Sequence, residues 1–155
     1  MILIIGGHSG SGHRILGKTL ATRLTYHHIL ISPEIWDVRL QKYMLRRAGF
    51  SSAAADAPLS DAVRTSRISK ALGNLEHKSK MFSGIVICAP LLREEPRSEL
   101  IRRARAITRT SVIWVSSERQ HESIGAVGER ARKNFERRLM REKDIFQPFQ
   151  DPPLV

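Results

Sequence analysis

Four short apolar runs recur along the chain, at residues 2–5, 29–31, 85–88 and 112–115. None of them alternates with polar residues, so each is predicted to be a β-strand covered on both faces. The segments between these runs carry apolar residues at helical spacing. Strands and helices that alternate in this way predict an α/β fold with a parallel sheet and right-handed crossovers.

The first helical segment places Leu16, Leu20 and Leu24 four residues apart, which predicts the buried stripe of a helix. A second helix is predicted to open after Ser32-Pro33 and to stop at Gly49. Three further helices are predicted: one over 60–81 (Val63, Ile68, Leu72 and Leu75, weakened at Gly73), one carrying Leu100, Ala104 and Ile107, and a last one carrying Ile124, Val127, Ala131, Phe135 and Leu139.

A glycine-rich turn joins the first strand to the first helix. Its sequence is Gly6-Gly7-His8-Ser9-Gly10-Ser11-Gly12. Small residues let the backbone wrap closely around a phosphate group, and the N–H groups of the first helical turn point toward it. The turn therefore predicts an anion-binding site.

A phosphate loop could alternatively begin at Gly12, because the sequence from Gly12 to Thr19 fits the pattern G-x-x-x-x-G-K-T. A phosphate loop has to follow its strand directly, and Gly12 lies well beyond the first apolar run. Lys18 would also fall inside the helix and point along its surface. We therefore favour the register in which the loop starts at Gly7.

The segment from Gly7 to Gly12 resembles the phosphate loop of small-molecule P-loop kinases, where the adenylylsulfate kinase and gluconate kinase branch has G-x-S-G-S-G-K-S/T. The resemblance implies a three-layer P-loop NTPase fold, with a parallel sheet of four or five strands and helices on both faces, formed by residues 1–155 as one domain. It also implies an ATP-dependent kinase with a small-molecule acceptor, adenylylsulfate kinase-like. The nucleotide-binding residues would be Gly7, His8, Ser9, Gly10, Ser11, Gly12, His13 and Arg14.

Two positions of this loop differ from the family. His13 stands where the family has the lysine that reaches the β- and γ-phosphates, and Arg14 stands where it has the serine or threonine that ligates Mg²⁺. Imidazole is shorter than a lysine side chain and largely neutral near pH 7, whereas Arg14 is a fixed cation. The resemblance thus implies ATP as a cofactor and raises Mg²⁺ as a second one, which Arg14 disfavours. A catalytically impaired nucleotide-binding protein is an alternative.

The segment after the second strand resembles an acidic motif of the adenylylsulfate kinases. Asp37-Val38-Arg39 matches its end, and Glu34 lies near its first aspartate, although Trp36 replaces its central one. The resemblance implies Glu34 or Asp37 as the catalytic carboxylate and Arg39 as a catalytic or substrate-binding group. The alternative is that these acids only suit the positive end of a helix.

The segment after the third strand, from Cys88 to Arg93, resembles the corresponding segment of the gluconate kinases. The resemblance implies that Arg93 and Arg97 bind a small anionic or hydroxyl-bearing acceptor. Surface arginines beside a helix are the alternative. A mobile arginine-bearing lid follows the fourth strand in such kinases, and the candidates for it here are Arg119, Arg130 and Arg132.

Composition limits the class of protein further. The chain has 155 residues, of which 41% are hydrophobic and 26% charged, as in a single globular domain. Its only cysteine, Cys88, lies in an apolar run and is expected to be a core residue in a reduced, cytoplasmic setting. No apolar run reaches the length of a membrane span. The six histidines show no metal-ligand spacing, so no metal site is expected.

The net charge of +11 is unusual for a chain of this size and implies attraction to polyanions. Nucleotide phosphates satisfy that expectation, and so does nucleic acid. A basic nucleic-acid-binding module is therefore a further alternative, although it rests on charge alone. Steeply salt-dependent binding that is indifferent to ATP would distinguish it from a kinase.

Overall fold

The computed structural model of the protein describes residues 1–8, 10–31 and 61–116, together with residues 43, 46–49, 133, 136, 137, 140 and 146. Strands and helices alternate through the three long ranges. In chain order they are β1 (Ile2–Gly7), α1 (His13–Leu24), β2 (His27–Leu30), α2 (Asp61–Ala71), α3 (Leu75–Met81), β3 (Ile85–Ala89), α4 (Glu94–Ile107) and β4 (Thr110–Val115).

The four strands form one parallel sheet in the order β2-β3-β1-β4. The predicted strands, their parallel pairing and the α/β class are thus confirmed. The two central strands, β1 and β3, are buried along their whole length, which explains why their sequences lack polar alternation. Gly6 lies opposite Ala89, so the segments that follow β1 and β3 leave the sheet side by side.

Helices cover both faces of this sheet. On one face, the side chains of Leu3, Ile5, Val86 and Cys88 pack with Ala21 of α1. On the other face, the remaining strand residues form the larger cluster with Ile68 of α2, Leu75 of α3, Leu100 and Ala104 of α4, and Leu72 in the turn between α2 and α3. The layering is therefore helix, sheet, helix, as predicted.

The predicted buried stripe of α1 is wrong at two of its three leucines, and the third, Leu20, is only partly buried against the core. Leu16 and Leu24 are 37% and 43% exposed, and the residues that face the sheet are His13, Gly17 and Ala21. A Cβ atom at Gly17 would overlap the Cys88 sulfur, so the helix backbone lies directly against β3. Gly17 and Ala21 face the sheet because the helix packs too closely there for leucine.

The single helix predicted over 60–81 is two helices. α2 ends at Ala71 and α3 starts at Leu75, with Gly73 in the turn between them. Ile68, Leu72 and Leu75 are buried as predicted, but Val63 is 42% exposed and Arg64 is buried in its place. Leu75 donates a backbone hydrogen bond to Leu72 at 2.8 Å, which closes the turn where glycine weakens the helix.

The structure also tests the predicted residues of α4 and the predicted helix end at Gly49. Leu100 and Ala104 of α4 are buried and Ile107 is partly buried, as predicted. Gly49 has φ +82° and its N–H bonds to the Arg46 carbonyl, which is the predicted helix end. The start of that helix and the last predicted helix lie outside the described residues. Within those residues, no helix is both long and apolar enough to cross a membrane.

Candidate functional site

The glycine-rich turn lies between the end of β1 and the start of α1, as its sequence predicts. Gly12 precedes α1 with φ +81°, a left-handed conformation that glycine adopts without steric cost. The Ser11 N–H donates to the His8 carbonyl at 3.1 Å, which curls the loop back on itself. The His13 N–H donates to the Ser11 hydroxyl oxygen at 3.4 Å, and the N–H groups that follow it in the first turn of α1 lie at the loop end of the helix, where anions bind.

Gly7 allows this loop to fold back over the sheet. A Cβ atom there would overlap the Ser11 hydroxyl and lie 2.6 Å from the carbonyl oxygen of Val115 in β4. Only glycine fits between these two groups. The close packing of the loop against β4 therefore depends on the absence of a side chain at Gly7.

The alternative register does not have this geometry. Gly17 lies inside α1 against β3, and Lys18 and Thr19 are exposed on the helix surface. Burial lowers the pKa of His28 in β2, and the positive charge of Lys18 lowers it further. The residues from His13 to Thr19 form helix, so a phosphate loop does not begin at Gly12.

His13 occupies the inner side of the loop. Its side chain is 8% exposed, and its Nδ1 lies 3.0 Å from the Ser11 hydroxyl oxygen. Burial lowers the pKa of His13, and the neighbouring Arg14 guanidinium lowers it further. The imidazole is therefore neutral near pH 7, so this position does not supply the positive charge that a lysine would.

A second group of charged residues lies at the same edge of the sheet, beyond the end of β3. A cavity of about 30 Å³ opens there between α2, the segment after β3 and the start of α4. Its polar wall consists of four arginines, Arg64, Arg67, Arg93 and Arg97. We call this cavity the arginine pocket.

Asp61 connects the two sides of the arginine pocket. Its Oδ1 accepts hydrogen bonds from Arg64 Nη1 at 2.9 Å and from Arg93 Nε at 3.2 Å. Its Oδ2 accepts a third from Arg93 Nη2 at 3.1 Å, so the Arg93 contact is bidentate. The bonds from Arg93 hold the pKa of Asp61 below its usual value.

Arg97 is almost wholly buried, with 1% of its surface exposed. Its Nη1 donates to the Leu91 carbonyl at 3.1 Å, and its Nη2 forms an ion pair with Glu94. Leu91 has φ +48°, an unfavourable conformation for leucine, so Arg97 holds a strained segment in place. The predicted substrate-binding role of Arg97 stays a prediction, as does that of Arg93.

The Leu91 side chain lies between the arginine pocket and the phosphate loop. It lines the pocket, and its Cδ1 and Cγ atoms come within 2.5 and 2.8 Å of where a Cβ atom of Gly6 would lie. One side chain therefore separates the pocket from the start of the loop. Open parallel sheets bind their ligands at this edge, beyond the carboxyl ends of the strands.

Comparison with known proteins supports this architecture. No family model matches the chain, and no curated protein gives a significant match. Among solved structures, a gluconokinase from Sinorhizobium meliloti 1021 is similar over 94% of this chain and 74% of its own, with a TM-score of 0.58 and 18% identity. An unliganded sugar kinase from Janibacter sp. HTCC2649 is similar over 98% of this chain and 80% of its own, with a TM-score of 0.59 and 12% identity. The chain has a P-loop kinase fold.

Within this P-loop kinase fold, several predicted site residues lie outside the described residues. They are Ser9 in the loop, the predicted catalytic residues Glu34, Asp37 and Arg39, and the lid candidates Arg119, Arg130 and Arg132. The described part of the chain contains no cluster of three or more histidine, cysteine or acidic side chains that could hold a metal ion.

Two arginines of the arginine pocket and the aspartate that bonds to its arginines were not predicted from the sequence. They are Asp61, Arg64 and Arg67. A signal for Arg64 exists, since it lies four residues before Ile68 and eight before Leu72, which puts it on the buried side of the helix. A charged residue in that stripe indicates a buried polar site, because an arginine is rarely buried without partners.

An aromatic cluster borders the loop on its other side. The His8 ring lies 5.3 Å from that of Trp114 in β4 and 5.2 Å from that of Phe146, and Trp114 stacks on Phe146 at 5.1 Å. Contacts of this kind add stability beyond the area they bury. The sequence assigned His8 to the loop but did not predict its aromatic neighbours.

Cys88 is fully buried, as expected of a core residue. Burial raises the pKa of its thiol to about 11, and its sulfur lies 3.3 Å from His28 Nε2. A thiol with so high a pKa is protonated near pH 7 and is a poor nucleophile. Cys88 therefore contributes packing under α1 and not reactivity.

The buried imidazole of His13 predicts a pH dependence of stability. Its pKa is lowered in the folded state, so the unfolded chain takes up a proton first as the pH falls below about 6.5. We expect the free energy of unfolding to be highest above pH 6.5 and to fall as the pH drops toward the lowered pKa. Urea unfolding between about pH 5 and pH 8 measures this, and His13→Asn should flatten the curve. His77→Asn, on the exposed surface of α3, is the matched control, and equal curves for both variants would contradict the assignment.

Proposed function

We propose that the protein is an ATP-dependent kinase that phosphorylates a small-molecule acceptor. The observation that supports it is the pairing, at one edge of the sheet, of the loop at residues 7–14 with the arginine pocket, separated by Leu91. Phosphoryl transfer depends on placing two ligands in line and neutralising their charge. A nucleotide site beside an acceptor site meets the first requirement.

In this proposal the backbone of the loop and the first turn of α1 bind the nucleotide phosphates. The loop suits a phosphate because Gly7 lets it pack closely against Ser11 and β4 and Gly12 lets the chain turn into the helix. ATP supplies the transferred phosphoryl group. Arg14, exposed at the start of α1, contributes the positive charge that His13 lacks near pH 7.

The anionic group of the acceptor is proposed to bind at the mouth of the arginine pocket through Arg93, whose side chain is 31% exposed. We further propose an acceptor of the adenylylsulfate type, because Asp37-Val38-Arg39 resembles the end of an acidic motif in those kinases. Glu34 or Asp37 would orient the acceptor hydroxyl, and Arg39 would grip its anionic group. A cytoplasmic location would suit an enzyme that uses ATP.

Mg²⁺ does not fit the described loop well. Arg14 replaces the hydroxyl that ligates it in the family, and the Ser11 hydroxyl is engaged by His13. Hard cations of this kind prefer carboxylate, carbonyl and water oxygens. We therefore propose that any Mg²⁺ would be held by ATP and by carboxylates such as Glu34 or Asp37.

A second candidate function is favoured by one contact. The Ser11–His13 hydrogen bond places a neutral group where phosphoryl transfer needs a cation. Removing one strong charge contact at a transition state costs a factor of about 10² to 10³ in rate. The second candidate is therefore a protein that binds nucleotide without efficient transfer.

Calorimetric titration of ATP, with and without Mg²⁺, tests both candidates. We expect the natural protein to bind Mg-ATP with a Kd of roughly micromolar strength, and the double change His13→Lys with Arg14→Ser to bind more tightly. The restored lysine adds a charge contact to the phosphates and the serine restores a metal ligand. Lys18→Met is the control, because Lys18 is exposed on α1 outside the loop and should leave binding unchanged.

The outcomes separate the candidates. Binding by the natural protein, followed by transfer to an anionic acceptor, supports the kinase. Binding only by the double variant supports the impaired nucleotide-binding protein. No binding by either protein contradicts both, and loss of binding in Lys18→Met would mean that the loop starts at Gly12.

A further inference from the structure

Asp61 gives the arginine pocket an anion of its own. Arg93 lies on the segment after β3 and Arg64 on α2, and the Asp61 carboxylate bridges them with bonds of 2.9 to 3.2 Å. The Arg93 fork meets both carboxylate oxygens, which is also the geometry in which arginine binds a carboxylate, sulfate or phosphate ligand. Asp61 therefore occupies the donors that an oxyanion would use.

The partial exposure of Asp61 and Arg93 allows another anion to replace Asp61 on Arg93. The side chains of Asp61 and Arg93 are 21% and 31% exposed, so water reaches this pair, whereas the Arg64 side chain is 8% exposed. Breaking the Asp61–Arg93 contact exposes two groups that can be hydrated at once. A partly exposed ion pair of this kind has a small net free energy, so a well-placed oxyanion can replace one partner.

We propose that Asp61 is an internal counter-ion that an oxyanion of the acceptor displaces from Arg93. The inference rests on the proposed function, because it takes the arginine pocket to be the acceptor site. While the pocket is empty, Asp61 holds Arg93 beside Arg64. When the acceptor binds, its oxyanion takes the Arg93 fork and Asp61 turns toward solvent.

This exchange makes Asp61 a specificity-determining residue. A neutral acceptor cannot replace a carboxylate on Arg93, so it would leave the ion pair intact and find the donors occupied. An oxyanion carrying two charges competes better than one carrying a single charge, because its attraction to arginine is larger. The pocket should therefore favour acceptors with a sulfate or phosphate group over those with a single carboxylate.

Calorimetric titration with inorganic sulfate, on the natural protein and on Asp61→Asn, tests the proposal. Asparagine keeps the shape of the side chain and an acceptor oxygen but removes the competing charge. We expect Asp61→Asn to bind sulfate roughly tenfold more tightly, since the repulsion and the competition are both removed. A parallel titration with acetate should show a smaller gain.

A structural role for Asp61 predicts the opposite sign, because loss of the bridge would disorder Arg93 and weaken sulfate binding. Equal or weaker binding by Asp61→Asn therefore overturns the proposal. Glu76→Gln is the matched control: it removes an acid from an exposed ion pair with Lys80 on α3 and should leave sulfate affinity unchanged.

Nuclear magnetic resonance on the natural protein gives a second test that needs no variant. The carboxyl carbon of Asp61 can be titrated with and without sulfate. If sulfate takes Arg93, the Asp61 carboxyl loses the bonds that lower its pKa, and that pKa should rise. An unchanged titration with sulfate bound contradicts displacement.

Failure of this inference can be told apart from failure of the proposed function, because sulfate binding is measured without ATP. Tighter sulfate binding by Asp61→Asn, in a protein that transfers no phosphate, would support the role of Asp61 as counter-ion and contradict the kinase function. Transfer to an anionic acceptor, together with unchanged sulfate affinity in Asp61→Asn, would support the kinase function and contradict the role of Asp61 as counter-ion.

Discussion

Replacing Gly7 by alanine is expected to lower the free energy of unfolding by about 2 to 3 kcal/mol and to weaken nucleotide binding at least tenfold. The new methyl group would overlap the Ser11 hydroxyl and approach the Val115 carbonyl oxygen to 2.6 Å. A serine side chain can rotate away, but the Val115 oxygen belongs to the backbone of β4. The loop must therefore shift outward, which also disturbs the Ser11–His13 hydrogen bond. Urea unfolding and ATP calorimetry measure the two effects.

Gly73→Ala is the matched control for this change. A Cβ atom at Gly73 would have no neighbour closer than 3.5 Å, so alanine fits the turn between α2 and α3. We expect it to leave stability unchanged or to raise it by about 0.5 kcal/mol, because the unfolded chain loses freedom. A similar loss of stability in both variants would mean that Gly7 is not under special steric constraint.

The architecture was predictable because its signal is local. The central strands are buried on both faces, so their apolar runs stand out from the sequence without reference to other segments. The glycine-rich loop was predictable for a similar reason, since a strand, a tight turn and a helix start are consecutive in the chain. Both features depend on residues that are neighbours in sequence.

The buried side of α1 could not be predicted from periodicity. Leu16, Leu20 and Leu24 form a regular apolar stripe, yet Gly17 and Ala21 face the sheet. The deciding factor is the distance between helix and strand, which leaves no room for a Cβ atom above the Cys88 sulfur. That distance depends on Cys88, about seventy positions away in the chain.

The contacts of the arginine pocket also could not be predicted from the sequence, because they join residues that are far apart in the chain. Arg93 was predicted from the resemblance of its segment to a kinase family, but its partner Asp61 lies on α2 and precedes it by 32 residues. A sequence indicates which residues are charged and which side of a helix they share. It does not indicate which arginine an acid will neutralise, because that depends on how α2 packs against the start of α4.

Arg97→Met is expected to lower the free energy of unfolding by about 2 to 3 kcal/mol, because Arg97 supports a strained part of the fold. Methionine retains most of the volume of the buried side chain but cannot donate a hydrogen bond. The Leu91 carbonyl would lose its bond from Nη1, and Leu91 has φ +48° with its side chain packed against Gly6. Relaxation of Leu91 would reach the base of the phosphate loop, so nucleotide affinity should fall as well.

Arg93→Met is the matched comparison, because it removes the same kind of side chain from the same pocket. Arg93 is partly exposed and its described ion-pair partner is Asp61, which water can reach. We expect this variant to unfold within about 1 kcal/mol of the natural protein but to lose sulfate binding and acceptor phosphorylation. Thermal or urea unfolding and sulfate calorimetry on both variants separate the two roles. If Arg97→Met were as stable as Arg93→Met and lost only sulfate binding, Arg97 would bind the acceptor directly, as its sequence position first suggested.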